Sequence, residues 1–226
     1  DVYYYQNDSF LSNYLKHKDN AKSYLQSDYT IEDEVVYIYF NGKKIPLRIF
    51  GNHNLQNLEA AKLVCLKLGV PEAVFYSSIQ SFEGANNRLS LIKKYVDNSC
   101  VYRDFAHSPS KVLATVNAVK ELYPDRQLIS CFELHTFSSF NSGFLNHYEK
   151  SFVNSDEVWV YIDPAKKKSK NITSHLISSA IKHNNLKIIN DKTELKSLLN
   201  DFMPCNNNLL LMSSGTFSGL DLEEYF

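Results

Sequence analysis

The sequence predicts an α/β protein built on a doubly wound, mostly parallel sheet. Three observations predict it. From residue 89 onward, apolar strand-like runs alternate with helical patterns of ten to fifteen residues, the rhythm of a parallel sheet. The first fifty residues break from that rhythm and read as β-rich, which marks a separate unit. A chain of 226 residues that is 44% hydrophobic can bury one large core or two modest ones.

In the first unit, Val35–Phe40 and Lys44–Ile49 are β-branched and aromatic runs on either side of Asn41-Gly42, a strong hairpin signal. Leu55, Leu58, Ala61, Cys65 and Leu68 then recur at helical spacing, and Gly69 follows as a natural helix stop. Phe75–Glu83 reads as a short helix, and Gly84–Arg88 as a linker between the units.

In the second unit, Leu91–Tyr95 and Ser99–Tyr102 predict an opening strand pair. A helix is predicted from Pro109 to about Leu122, with Ser108 at the N-cap, proline in the first turn, and Val112, Leu113, Val116 and Val119 on one face. Then come strand Gln127–Phe132, helix Phe144–Val153, strand Glu157–Ile162, helix Thr173–His183 and strand Leu186–Ile189. Asp191 and Glu194 form a capping-box pattern before the next helix, and strand Asn208–Met212 leads through Ser213-Ser214-Gly215 into a final helix. Ligands of such sheets bind at the carboxyl ends of the strands. That rule points to the loops Arg103–Ser108, Glu133–Ser142, Asp163–Lys170 and Ser213–Ser218.

The formal net charge is −1, with 24 basic and 25 acidic side chains scattered along the chain, so nucleic acid is not an expected partner. The apolar runs, such as Val158–Ile162, are far shorter than the ~20 residues of a membrane span, and no membrane partner is expected. The four cysteines lack paired or metal-type spacing, and with no leader-like opening a cytoplasmic setting fits. The chain starts with Asp1 in a strand-like run and stops in a helix-like one, so a fragment of a longer protein is expected.

Several residues could carry chemistry. Asn54 and Asn57 lie three apart at a helix start, so both amides can face one ligand, and an amide suits the edge of an adenine ring. A cap plus a polar turn explains the same spacing. Asp104 and His107 end a strand just before a helix; they suit ribose and phosphate, or equally an Asx-type turn with a histidine bonded to a carbonyl. Arg88 and the run Lys166-Lys167-Lys168 with Lys170 read as solvated charges, with phosphate attraction as the functional alternative. Glu133 and His135 could orient a substrate amine. No Gly-x-x-x-x-Gly-Lys-Ser/Thr or Gly-x-Gly-x-x-Gly loop and no zinc-type cluster occurs in the sequence.

In order, Gly51-x-His53-Asn54-x-x-Asn57-x-x-Ala60-Ala61, Gly84-x-x-x-Arg88-Leu89, Tyr102-x-Asp104-Phe105-Ala106-His107-x-Pro109 and Met212-Ser213-x-Gly215-x-Phe217-x-Gly219 resemble the Mur ligase family, from about residue 51 to the end. Phe132-Glu133 with Ser142-Gly143 and the closing motif look most like the branch that joins a recycled tripeptide to UDP-N-acetylmuramate; the L-alanine-adding branch comes next. The resemblance implies the tail of a central ATP-binding domain over residues 1–85 and a Rossmann-like C-terminal domain over 86–226. It implies an ATP-dependent, ADP-forming amide ligase of peptidoglycan synthesis or recycling that works through an acyl-phosphate. ATP and Mg²⁺ would be its cofactors, with the metal ligands outside this chain, and UDP-N-acetylmuramate and a tripeptide or L-alanine its substrates. A monomer is expected, and the piece alone would be inactive. By the same resemblance Asn54 and Asn57 would contact adenine, Arg88 the phosphates and Asp104 the ribose side. His107 would be catalytic beside the incoming amine, and Glu133, His135, Ser214 and Gly215 would face the substrate.

Four positions depart from the family pattern. Arg103 stands where an acid is usual, Ser108 replaces a histidine, Ser90 replaces an acid, and His135 replaces the arginine of a Glu-Pro-Arg peptide-binding loop. The last change removes a bidentate cation and puts a titratable ring in its place. An altered substrate choice and a catalytically degenerate Mur-like protein that binds nucleotide or peptide are both compatible with these changes.

Overall fold

In the computed structural model, residues 2–168 and 172–226 are described in full and 169–170 as backbone, so the side chain of Lys170 lies outside the described set. The chain divides into two units, residues 1–83 and 84–226.

In the first unit, β1 (Val2–Tyr5) and β2 (Ala21–Tyr24) pair in parallel, and α1 (Ser9–Leu15) lies between them in sequence. Strands β3 (Tyr29–Glu32), β4 (Val35–Phe40) and β5 (Lys43–Leu47) form an antiparallel sheet. The β4–β5 turn has φ of 49° at Asn41 and 74° at Gly42, the left-handed pair a two-residue hairpin requires. Alternate residues Val36, Ile38, Ile45 and Leu47 are buried, as expected for a sheet covered on one face.

Helix α2 (Asn52–Lys67) buries Leu55 and Leu58, but Ala61 and Leu68 of the predicted stripe are exposed and Cys65 is half-buried. Its third buried residue is instead Glu59, which pairs with Lys62 at 2.7 Å and accepts from Ser27 Oγ at 2.7 Å. Helix α3 (Glu72–Ile79) starts three residues earlier than predicted, because Pro71 supplies an extended N-cap.

The second unit holds β6 (Ser90–Lys94), β7 (Cys100–Asp104), α4 (Pro109–Leu122), β8 (Gln127–Glu133), α5 (Ser142–Leu145) and β9 (Glu157–Tyr161). Then follow α6 (Pro164–Lys170), α7 (Ser174–Ile181), β10 (Leu186–Ile189), α8 (Lys192–Asn200) and β11 (Asn207–Met212). The sheet order is β10-β9-β8-β11-β7-β6, parallel throughout except for the antiparallel edge pair β6–β7. The predicted mostly parallel α/β sheet is therefore present. Strand β11 is buried at Leu209, Leu210, Leu211 and Met212 without alternation, as a strand covered on both faces must be. Each such side chain contributes roughly 1.5–3 kcal/mol by burial. Helix α4 buries Val112, Thr115, Val116, Val119 and Leu122 at helical spacing, and Leu113 is half-buried.

Two predicted helices are corrected. Phe144–Val153 is not one helix: α5 ends at Leu145 and a 3₁₀ segment spans Asn146–Lys150. Tertiary bonds override the local pattern there, since Tyr148 OH donates to His107 O at 2.5 Å and Ser151 Oγ to Pro109 O at 3.1 Å. The final helix shrinks to a 3₁₀ turn at Leu222–Tyr225. Phe217, Ser218 and Gly219 precede it with φ of 49°, 56° and 76°, a left-handed run that no α-helix can continue.

Among the described residues, no helix is long and apolar enough to cross a membrane. All four cysteines are free; Cys100 and Cys131 are buried, and burial pushes the Cys131 thiol up.

Candidate functional site

Register places Asp104 beside Met212, Met212 beside Phe132, and Glu133 beside Tyr161, so the carboxyl ends of β7, β11, β8 and β9 adjoin. Asp104 is buried at 7% exposure. Its Oδ2 accepts from Leu89 N at 2.8 Å, and its Oδ1 accepts from Ala106 N at 2.6 Å and Thr115 Oγ1 at 3.3 Å. The Ala106 bond is the Asx-type turn the sequence allowed; the Leu89 bond is not local. It holds a left-handed segment, Asn87 at φ 57° and Leu89 at φ 46°, around Arg88. Phe105 N, donating to Asn87 O at 2.8 Å, closes the same segment. Strained backbone of this kind persists where the surroundings over-determine it. Arg88 itself is exposed, and its guanidinium has no partner among the described residues.

His107 is half-buried. Its Nδ1 lies 2.9 Å from Phe105 O, a contact that needs a proton on Nδ1 and therefore leaves the lone pair of the neutral ring on Nε2. Two of the departures from the family pattern face each other: Arg103 on β7 is the register partner of Ser90 on β6.

The densest cluster joins β8, α6 and the loop after β11. Glu133 is 2% exposed, so its carboxylate works as a latch: Oε2 accepts from Ser213 Oγ and from Phe217 N, the latter at 2.8 Å. The closing loop explains why Glu133 is turned inward rather than presented to a substrate amine. Ser213 Oγ also accepts from Gly215 N at 2.7 Å. His135 Nδ1 lies 3.4 Å from Glu133 Oε1 and 2.5 Å from Lys166 Nζ. A Cβ on Gly215 would stand 2.6 Å from His135 Nδ1 and 2.9 Å from Glu133 Oε2, so only glycine lets this loop approach the ring. Ser214 is half-buried beside it.

Ser218 makes the second knot. Its hydroxyl donates to Asp163 Oδ2 at 2.6 Å and accepts from Tyr161 OH at 2.8 Å, and its carbonyl accepts from Lys192 Nζ at 2.6 Å. The Ser218 hydroxyl holds the Asp163 carboxyl below the usual carboxylate range; burial opposes it, and the N–H groups of Lys166 and Ala165 and the Lys166 charge add to it. Burial raises the Tyr161 phenol, against the Ser218 bond. A carboxyl with a depressed folded pKa stabilises above its unfolded value of about 3.9, and that stabilisation is lost as pH falls through the folded value. In Ser218→Ala the Asp163 carboxyl, followed by carbon-detected NMR titration, is expected to titrate closer to about 3.9. An unchanged titration would show that this hydroxyl is not what holds it down.

The basic run is helical, and it is not simply a solvated face: besides Lys166, Lys167 Nζ donates to Asn190 Oδ1 at 2.8 Å and Ser174 Oγ at 3.0 Å. In the other unit, Asn54 and Asn57 occupy the first turns of α2. Asn54 Nδ2 donates back to Phe50 O at 2.9 Å, which leaves its Oδ1 as an acceptor, while Asn57 is exposed with both amide functions without a partner among the described residues. Among the described residues no three His, Cys, Asp or Glu side chains converge as a metal site would require.

No protein-family model matches the chain. The UDP-N-acetylmuramate–L-alanine ligase of Persephonella marina is 30% identical to it over 182 residues, which are 78% of this chain and 39% of that protein. The ligase of the same name from Aquifex aeolicus is 40% identical over 104 residues, 45% of this chain and 23% of that protein. This chain is a Mur ligase relative. The solved UDP-N-acetylmuramate–alanine ligase of Thermotoga maritima shares its fold, with a TM-score of 0.71 at 19% identity over all of this chain and 50% of that one. A murein peptide ligase from Psychrobacter arcticus shares it at a TM-score of 0.54 and 20% identity, over 84% of this chain and 41% of that one. This Mur ligase relative spans less than half the length of these curated relatives. Spacing could not disclose the latch on Glu133, the knot at Ser218 or the place of Lys166, because each joins loops 31 to 84 residues apart.

Proposed function

We propose that this chain is the C-terminal part of a cytoplasmic, ATP-dependent, ADP-forming ligase that joins an amine-bearing substrate to the carboxylate of UDP-N-acetylmuramate. The 30% identity over 182 residues to an L-alanine-adding ligase carries this reading and favours L-alanine over the tripeptide. In the proposed reaction the muramyl carboxylate takes the terminal phosphoryl group of ATP and releases ADP. The amine nitrogen then attacks the acyl carbon, the carbon–oxygen bond to phosphate breaks, and an amide remains. The acyl-phosphate step and its Mg²⁺ are assigned to the part of the relatives that this chain does not span.

Its own residues bind and orient. Asn54 and Asn57 would hold the adenine edge, one by an acceptor and one by both amide functions. Arg88 would meet the phosphates, from a segment that Asp104 keeps in place through Leu89 N. That makes Asp104 first a positioning residue and only through its remaining lone pairs a ribose ligand. The amine must lose a proton before or as it attacks, and His107 Nε2, with Nδ1 engaged by Phe105 O, has the lone pair to take it.

The test is phosphate release by the full-length protein. ATP, Mg²⁺, UDP-N-acetylmuramate and L-alanine together are expected to release it, and omission of any one to abolish it. A second reading, a binding protein without turnover, is favoured by Arg103 standing opposite Ser90. Complete mixtures with L-alanine or tripeptide that release no phosphate would establish that reading instead.

A further inference from the structure

The sequence pattern favours one helix over residues 144–153, yet the helix stops at Leu145 and a 3₁₀ segment, Asn146–Lys150, takes over. Departures from local preference concentrate at functional sites, and this one ends on the loop of His107. We infer that Tyr148, seconded by Ser151, is a positioning residue for His107 and holds its imidazole ready for the incoming amine. The inference rests on the role proposed for His107 above. In a 3₁₀ helix residues three apart stack in line, and three residues advance about 6 Å. That is about the span of two residues of extended chain. The targets match it: Tyr148 OH donates to His107 O at 2.5 Å and Ser151 Oγ to Pro109 O at 3.1 Å. Ser108, between the two carbonyls, is extended with φ −100° and ψ 154°, as a residue before proline prefers. An α-helix would turn the two hydroxyls apart and shorten their spacing to about 4.5 Å, a poorer fit to the same carbonyls.

The loop is thus clamped on both sides of His107. Ahead of it, Ala106 N donates to Asp104 Oδ1 at 2.6 Å and Phe105 N donates to Asn87 O at 2.8 Å. Behind it, the Tyr148 bond fixes the peptide that leaves the histidine. The ring depends on both, because its Nδ1 bonds Phe105 O two residues back, a contact that lasts only while the turn between them keeps its shape. Packing does little of this work. The Phe105 ring, edge-on to the imidazole at 5.3 Å, is itself 45% exposed. Beside the loop lies an open cavity of about 570 Å³, lined by Ser108, Pro109 and Leu113 and by Phe144, His147 and Lys150. The two hydroxyls reach the loop where side-chain packing is incomplete. Tyr148 is a firm anchor for this: it is fully buried, with Phe132 and Phe144 at ring distances of 5.3 Å and 6.1 Å. Burial pushes its phenol up, so the hydroxyl remains a donor.

The experiment compares wild type, Tyr148→Phe, His107→Ala and the double variant in the full-length protein, after thermal melting shows that each folds. Phenylalanine keeps the buried ring and removes only the hydroxyl. Tyr148→Phe is expected to lower kcat about 10- to 100-fold, the range for a misplaced catalytic group, and to leave KM for ATP unchanged. In the His107→Ala background the same substitution should lower kcat no further, because residues that act as one unit are not additive. A tyrosine that served only the fold would lower kcat by the same factor in both backgrounds. That result would overturn the inference, and so would an unchanged kcat in Tyr148→Phe. If Tyr148→Phe does not fold, Ser151→Ala takes its place in the same cycle and is judged by the same two outcomes.

If wild type shows no turnover, or if His107→Ala keeps the wild-type kcat, the catalytic reading of His107 fails by itself. Nitrogen NMR of the His107 ring in the same protein, assigned by its loss in His107→Ala, then decides whether Tyr148 sets that ring. At a pH where the ring is neutral, a single tautomer protonated on Nδ1 is expected in wild type and a mixture of both in Tyr148→Phe. The same single tautomer in both proteins would refute it.

Discussion

Replacing Asp104 with alanine is expected to destabilise the 84–226 unit by about 3 kcal/mol or more, lowering its melting temperature on the order of 10 °C. The carboxylate accepts three internal hydrogen bonds, from Leu89 N, Ala106 N and Thr115 Oγ1, and it is 7% exposed. Alanine leaves the two backbone N–H groups without an acceptor in a place water reaches poorly, at a cost of about 1–3 kcal/mol each. Leu89 has a second reason to move. Its φ of 46° is unfavourable for a branched side chain, and the Asp104 bond opposes its relaxation. Arg88 should therefore become mobile as stability falls. The amide introduced by Asp104→Asn would keep one acceptor and turn a donor toward the other N–H, so an intermediate loss is expected. Unchanged melting of Asp104→Ala in a thermal scan would mean that this carboxylate is available to a ligand and does little for the fold.

Gly215→Ala is expected to lower kcat/KM for the amine substrate by about 100-fold while the fold survives with a cost of about 1–3 kcal/mol. Gly215 does not need its glycine for a positive φ; it needs the space. The new Cβ would stand 2.6 Å and 2.8 Å from His135 Nδ1 and Cε1, and 2.9 Å from Glu133 Oε2. Glu133 is held by Ser213 and Phe217, so the partly exposed imidazole is the group that yields. Its displacement breaks the pairing with Lys166 and moves the ring that the resemblance to the Mur ligases sets against the substrate. Steady-state kinetics and a melting curve check both parts. Wild-type kcat/KM in a folded Gly215→Ala protein would remove His135 from the binding site.

The sheet was legible in the sequence because its signals are local. Buried parallel strands are apolar throughout, as Leu209–Met212 are, and Ser108-Pro109 marks the start of α4 within one turn. The Asn41-Gly42 hairpin is equally local. The errors fall where distant residues overrule neighbours. Tyr148 and Ser151 are tied to the backbone of His107 and Pro109, and the helix expected over them breaks into 3₁₀ turns. Phe217 and Ser218 are held left-handed by Glu133 and Asp163, and the final helix never forms.

The candidate site shows the same division. Asp104, His107, His135 and Gly215 stand at strand ends that the pattern located, but what each touches was not written in its spacing. Glu133 reads as a substrate ligand in sequence and is a buried latch in the fold, because a loop 80 residues later closes over it. Lys166 reads as one charge in a basic run, and only the register of β8 with β9 sets its helix beside His135.

The most direct test of the proposed ligase follows one oxygen atom. The full-length protein is given ATP, Mg²⁺, L-alanine and UDP-N-acetylmuramate labelled with ¹⁸O in its carboxylate, and the released phosphate is analysed by mass. An acyl-phosphate intermediate carries one carboxylate oxygen into phosphate, so one labelled oxygen per amide formed is predicted. Phosphate without label, or amide without phosphate, would contradict it.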